Sequence, residues 1–191
     1  MNKKSFLPLL AGLSLIAGGM AQADTPKAKL PLTVYAENGG PAPYVPSGYM
    51  GNTSAIKMNS ACTALPHSGK TCLQVQYTAA KEWGGVVWQN PANNWGAQKG
   101  GLNLTGAKTL SFWARGDKGG EVVTFVYGLV AKKPNGDTST GKTQVTLTKA
   151  WKKYTISLAG HNMSHIITGF AWTLGAQGRS VTFYLDDVRY A

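Results

Sequence analysis

Thr109-Leu110-Ser111-Phe112-Trp113-Ala114-Arg115 alternates strictly: Leu110, Phe112 and Ala114 fall on one side of an extended chain, and Ser111, Trp113 and Arg115 on the other. A helix would scatter the three apolar side chains around its axis, so the segment reads as a strand with one buried face. Lys153 to Leu158 repeats the pattern, with Tyr154, Ile156 and Leu158 opposing Lys153, Thr155 and Ser157. Working outward, β-favouring runs recur at Cys72–Thr78, Gly85–Gln89, Glu121–Val130, Thr143–Thr148, Gly169–Leu174 and Val181–Tyr190, each bounded by Gly, Asn or Pro.

So many short segments at close intervals predict an all-β chain, an antiparallel two-sheet β-sandwich or a barrel. Helical periodicity is nearly lacking, and 24 Gly with 9 Pro would break long helices. One short helix or turn is expected near Leu158–Ile166.

The N-terminus sets the compartment. Asn2-Lys3-Lys4 is a cationic head, Phe6–Ala17 is apolar but short for a bilayer span, and Ala21-Gln22-Ala23 suits a signal peptidase. The expectation is a cleavable signal peptide over 1–23, with an N-terminal membrane anchor as the alternative. A short leader of little packing value follows over 24–31, then one domain over 32–191. The destination is secreted or periplasmic, with no membrane insertion. Of the 19 Lys and Arg, Lys3 and Lys4 fall in the signal, leaving 17 against 8 Asp and Glu. That surplus favours acidic partners or serves solubility, while export and the scatter of the cations argue against nucleic acid.

Cys62 and Cys72 are the only cysteines. In an oxidising compartment a disulfide clasping the Pro66-His67-Ser68-Gly69 turn is the simplest reading, and a pair of free buried thiols is the alternative.

The C-terminal run Thr182-Phe183-Tyr184-Leu185-Asp186-Asp187-Val188-Arg189-Tyr190 resembles the last strand of galactose-binding-like jelly rolls, the architecture of many carbohydrate-binding modules. His67-Ser68-Gly69-Lys70 before Cys72-Leu73-Gln74-Val75 resembles that family's turn-then-strand step, and Val34-Tyr35-Ala36-Glu37 stands where its first strand and acidic residue belong. The resemblance covers residues 32–190 and implies a jelly roll. It also implies a structural Ca²⁺ held by Asp186, Glu37 and the Lys70 carbonyl, tying the first and last strands together. His67 stands where a relative would offer a carboxylate, and the alternative is that Asp186 simply bonds turn amides.

Six Trp in a small exported β domain divide between core and function. Trp151 reads as packing, and either Phe170 or Trp172 as core. A sugar ring offers C–H bonds on its face and hydroxyls on its rim, so it binds where a flat aromatic sits beside amides or charged groups. Trp83, Trp88, Gln89, Asn90, Asn94 and Trp95 supply that mixture in one segment, and Trp113, Arg115 and Trp172 are further candidates. Ordinary turn and core roles compete with this reading, most evenly at Trp88.

No catalytic set emerges. Asp186 and Asp187, adjacent on a strand, should point to opposite faces and so cannot act as a glycosidase pair. The expected function is non-catalytic binding of a polysaccharide or cell-envelope glycan, which the basic surplus allows to be anionic, by a monomer. The alternatives are an envelope-associated protein-interaction module, or a polysaccharide lyase acting on an acidic glycan through His161 and His165.

Overall fold

A computed structural model of the chain describes residues 25–40, 42–131 and 133–191. The signal peptide expected over 1–23 lies outside them. Among the described residues the strands are β1 (Leu32–Tyr35), β2 (Val45–Gly51), β3 (Ile56–Cys62), β4 (Cys72–Tyr77), β5 (Gly84–Gln89), β6 (Thr109–Gly116), β7 (Val122–Tyr127), β8 (Gly141–Thr146), β9 (Lys152–Ser157), β10 (Thr168–Leu174) and β11 (Val181–Tyr190). A single 3₁₀ turn spans Thr53–Ala55. Leu158–Ile166, where a helix or turn was expected, forms turns and a bridge from Ile166 to Leu102. No helix among the described residues is long and apolar enough to cross a membrane.

Pairing is antiparallel throughout and gives two sheets. One runs β3-β4-β11-β6-β9, with β1 also beside β11; the other runs β2-β5-β10-β7-β8. The core lies between them. Phe112 of β6 meets Phe125 of β7 and Phe170 of β10 at centroid distances of 4.4 and 5.5 Å, and Phe183 of β11 meets Trp172 of β10 at 5.4 Å. These tilted and edge-on contacts are the arrangements that aromatic quadrupoles favour, worth about 1 kcal/mol each beyond area burial.

β2 and β3 escape the sequence reading for a shared reason. Both are edge strands interrupted by a register shift, so their side chains do not alternate cleanly, unlike those of the edge strand β9. β2 carries Pro46 and Gly48 around a register shift, a composition that an edge tolerates and a central strand does not. The leader packs more than expected. Ala28 and Leu30 lie against the core, and the Ala28 amide donates to the Asn103 carbonyl while the Asn103 amide donates to that of Pro26.

Candidate functional site

Trp83 and Trp95 are the two exposed indoles, with 52% and 39% of their surface accessible. They flank one face of the molecule, the outer surface of the five-stranded sheet along β2 and β5. On β5, Gly84 approaches the core residue Tyr77, so Gly85, Val87 and Gln89 turn outward. Trp83 immediately precedes this strand. Trp95 comes from the β5–β6 loop and lies over Gly48, where an added Cβ would sit 2.8 Å from its Cζ2. Gly48 pairs with Val87, which puts the two indoles about 13 Å apart along the strand direction at roughly 3.3 Å per residue.

Between them the floor is low. Gly48 and Gly85 have no side chains, and Val87, Ala171 and Val126 form a small buried cluster roofed by the half-buried Met50 and Leu129. Thr173, Thr124 and Gln144 continue the surface across β10, β7 and β8 with hydroxyls and an amide. Sequence reasoning missed Gly48, Met50 and Ala171. Their contribution is shape, and it depends on which strands become neighbours.

Gln89, Asn90 and Asn94 sit beside Trp95 but work as its scaffold. Gln89 is fully buried, donating through Nε2 to the Asn94 carbonyl at 2.8 Å and accepting through Oε1 from Ser47 Oγ at 2.9 Å. The Asn94 side chain, also buried, accepts from the Gly96 amide and donates to the Gln98 carbonyl. Asn90 Nδ2 donates to the Pro43 carbonyl, and its Oδ1 accepts from the Gly101 amide. A loop folded against a sheet leaves amides and carbonyls without water, and these carboxamides satisfy them. Their expected role as direct ligand contacts is corrected accordingly.

Trp88 and Trp172 are also corrected. Trp88 retains 3% of its surface and packs edge-on against Phe170, and Trp172 is sealed against Phe183. Both alternate inward, because each strand's register is fixed by the apolar residues around them.

Trp113 and Arg115 occur on the opposite side of the molecule, the outer face of the six-stranded sheet, so they do not join Trp83 and Trp95. The β3–β4 loop, residues 63–71, folds over them. His67 stacks on Trp113 at 3.7 Å, Arg115 donates to the Ala64 carbonyl and lies over the Tyr184 ring at 3.7 Å, and Trp151 Nε1 donates to the Leu65 carbonyl. Trp151 thus packs, as expected, but against this loop and the Cys62, Cys72 and Tyr184 cluster.

The same loop is tied down by carboxylates. Asp186 Oδ2 accepts from the amides of His67 and Ser68 at 3.0 and 3.2 Å. Asp187 accepts from Ser68 Oγ at 2.8 Å, lies 3.0 Å from His67 Nδ1 and pairs with Arg189. The two carboxylates converge, contrary to the expectation that they diverge, because Asp187 takes a left-handed conformation (φ 49°) at a bulge in β11. Burial raises the Asp186 carboxyl above its usual range despite the turn amides. Burial acts the same way on Asp187, but Ser68, Arg189 and His67 outweigh it and hold that carboxyl low. Ser68 Oγ donates to Asp187 and not to His67, so no nucleophile–base pair forms.

Of the residues expected to hold calcium, Asp186 is engaged by the His67 and Ser68 amides and Glu37 by Lys70 and Thr71. Glu37 Oε1 accepts from the Lys70 amide at 2.7 Å and Oε2 from Thr71 Oγ1 at 2.6 Å, so Lys70 meets Glu37 through its N–H. The grouping with metal-ligand spacing is His67, Asp186 and Asp187. An imidazole, two carboxylates already occupied by donors and an adjacent guanidinium suit a hard, oxygen-seeking cation poorly.

His161 and His165 are not a helical pair. His165 has both ring nitrogens 2.8 Å from carbonyl oxygens, those of Gly136 and Gly100, and so bridges two loops. Cys62 and Cys72 are buried thiols directly opposite each other on β3 and β4.

This architecture, two antiparallel sheets packed face to face, is a β-sandwich jelly roll, the fold of the solved carbohydrate-binding modules to which the chain is similar. The chain is similar to the family 30 module of the cellulosomal cellulase Cel9D-Cel44B of Clostridium thermocellum, with 17% identity and a TM-score of 0.54 over 85% of this chain and 98% of that one. It is also similar to the family 11 module of the cellulosomal cellulase Lic26A-Cel5E of Clostridium thermocellum, with 16% identity and a TM-score of 0.53 over 87% and 95%. A family 29 module complexed with mannohexaose aligns at 9% identity and a TM-score of 0.51 over 83% and 89%. No family model and no curated relative matches the chain.

Proposed function

We propose that the protein is an exported, non-catalytic glycan-binding domain that holds a polysaccharide chain along β2 and β5, with Trp83 and Trp95 stacking on separate sugar rings. The observation that carries this reading is the pair of exposed indoles, Trp83 and Trp95, at the two ends of the outer face along β2 and β5, where Gly48 and Gly85 keep the surface low. Large aromatics left in water cost free energy unless a partner covers them, and a pyranose face is a natural cover. Structural neighbours support the same class: they are carbohydrate-binding modules, one complexed with mannohexaose and one with a mixed-linked β-1,3-1,4 tetrasaccharide.

The rival readings draw less support. A strand-adding protein partner needs an open sheet edge, yet β2 carries Pro46 and a register shift, β3 has a register shift, and β8 and β9 carry Lys142, Lys152 and Lys153. A lyase needs a base with a free lone pair, and His165 is engaged at both nitrogens. The Asp186–Asp187 latch needs no calcium to hold the turn, so EDTA is expected to leave the melting temperature unchanged.

Calorimetry or affinity electrophoresis against a polysaccharide panel tests the reading. Trp83→Ala and Trp95→Ala should each weaken binding about tenfold, as expected for loss of about 1.4 kcal/mol of stacking. Unchanged affinity in both variants would place the site elsewhere.

A further inference from the structure

Among the described residues the acidic side chains are distributed unevenly, and one end of the sandwich exposes none. Four segments build that end: the leader, the β5–β6 loop, the β7–β8 loop and the β9–β10 loop. The leader is bonded to Asn103 on both sides. Asn135 reaches Gly96, Thr138 reaches the His165 carbonyl, and the His165 ring spans Gly136 and Gly100. These contacts weld the loops into one continuous surface.

Among residues 25–31, 90–108, 128–140 and 158–167 the sequence contains a single acid, Asp137. It is buried, and each of its oxygens accepts two hydrogen bonds, from Ile167, Thr168 and Val130. Its charge is spent inside. The other described acids lie elsewhere: Glu37 is capped by Lys70 and Thr71, Asp186 and Asp187 hold the His67 turn, and Glu82, Asp117 and Glu121 belong to the opposite end. The described cations of these segments, Lys27, Lys29, Lys99, Lys108 and Lys133, are all exposed, and none is in an ion pair with an acidic side chain among the described residues.

Trp95 opens onto the same surface. The Lys133 side chain lies on Gly96, where an added Cβ would sit 2.5 Å from its own Cβ, and Lys99 follows four residues after Trp95 in the same loop. An exposed indole whose neighbour Gly96 packs on the stem of Lys133, in a loop that also carries the exposed Lys99, fits a sugar that carries an anion on its rim: the ring face stacks while the lysines reach the charge.

We infer that the ligand is an anionic polysaccharide, whose carboxylate or sulfate groups are read by Lys99 and Lys133 beside Trp95. This rests on the glycan-binding reading above and narrows it to a substrate class. Single-stranded nucleic acid would also stack its bases on an indole beside lysines; the hydroxyl and amide surface of Thr173, Thr124 and Gln144 and the glycan complexes solved on this fold favour a sugar chain, and DNA is an arm of the test.

The test measures affinity of the mature protein for a polyuronate (alginate), a sulfated galactan (carrageenan), a neutral mixed-linkage β-glucan and single-stranded DNA, at about 50 mM and about 500 mM salt. One or both anionic glycans should bind, more weakly at high salt, and the pair separates carboxylate from sulfate recognition. The double variant Lys99→Gln, Lys133→Gln should weaken that binding by about tenfold, about threefold for each lysine. Lys57→Gln, Lys153→Gln removes the same charge from the other sheet and should change it by less than about twofold. Equal losses in the two double variants, or DNA bound as tightly as either glycan, would overturn the inference. Tight binding of the neutral glucan alone would overturn it and leave the glycan-binding reading standing, whereas no binding to any glycan would remove both.

Discussion

His67 lies flat against Trp113, with ring centroids 3.7 Å apart and planes 18° from parallel. Its Nδ1 meets Asp187 at 3.0 Å, and its backbone amide donates to Asp186 at 3.0 Å. One residue thus fastens the β3–β4 loop to the six-stranded sheet by its ring face, its ring edge and its main chain. The consequence for function is division of labour: Trp113, an indole that looked available for ligand, is occupied by the protein itself, and the exposed aromatics are left on the other sheet.

Asp187→Asn should therefore loosen the loop. It removes the charge that Ser68, His67 and Arg189 share, and a half-satisfied buried network costs about 1–3 kcal/mol. The pH dependence has a defined sign. A carboxyl held below its unfolded value of about 3.9 contributes stability above that value and loses it as pH falls through the folded one. The stability gap between wild type and Asp187→Asn, from urea melts, should be open at about pH 5 and close below about pH 4. A gap that persists undiminished at the acid end would show that the carboxylate charge is not what holds the loop.

Cys62 faces Cys72 across β3 and β4, so export into an oxidising compartment should join them. The bridge would close the same loop and stabilise the fold by about 2–3 kcal/mol. In the reduced protein, burial first and the neighbouring Cys62 second push the Cys72 thiol up to about 12, leaving almost no thiolate at neutral pH. Native reduced protein should resist iodoacetamide until denaturant is added. Rapid alkylation of both cysteines without denaturant would contradict the buried, opposed pair.

The strands were legible where one face is buried and the other half-exposed. Leu110, Phe112 and Ala114 turn inward as the alternation requires, and the segment 109–115 is extended by one residue in β6. What the sequence hides is pairing. Trp88, Gln89 and Asn94 look like a sugar site when read along the chain, because indoles and amides serve ligands and cores with the same chemistry. Only the sheet order shows that β5 lies between β2 and β10, leaving its side chains little access to solvent. The convergence of Asp186 and Asp187 was unreadable for a related reason: a bulge inserts a residue that alternation cannot anticipate.

The tryptophans should accordingly separate into two classes by stability. Trp88→Ala and Trp172→Ala remove fully packed rings and should each cost about 3–5 kcal/mol. Trp83→Ala and Trp95→Ala remove exposed rings and should stay within about 1 kcal/mol of wild type. Chemical denaturation of the four variants checks this, and a large loss for Trp83→Ala or Trp95→Ala would mean that these rings serve the fold.

Gly48→Ala isolates the position of Trp95 from its presence. The new Cβ would come within 2.8 Å of Trp95 Cζ2 and 2.9 Å of Gln89 Oε1, closer than a methyl group can rest against either. Both obstructing atoms belong to side chains, and the ring, exposed on its outer side, has solvent to move into. Gln89, buried and bonded to Ser47 and Asn94, has no such room, so the expected result is a displaced indole on a strained loop: glycan affinity down about fivefold to tenfold, with stability lowered by about 1–3 kcal/mol. Trp95→Ala in the Gly48→Ala background should then add little, because the two changes disable the same contact. If the losses instead multiply, Gly48 must act on the ligand by some route other than the placement of Trp95.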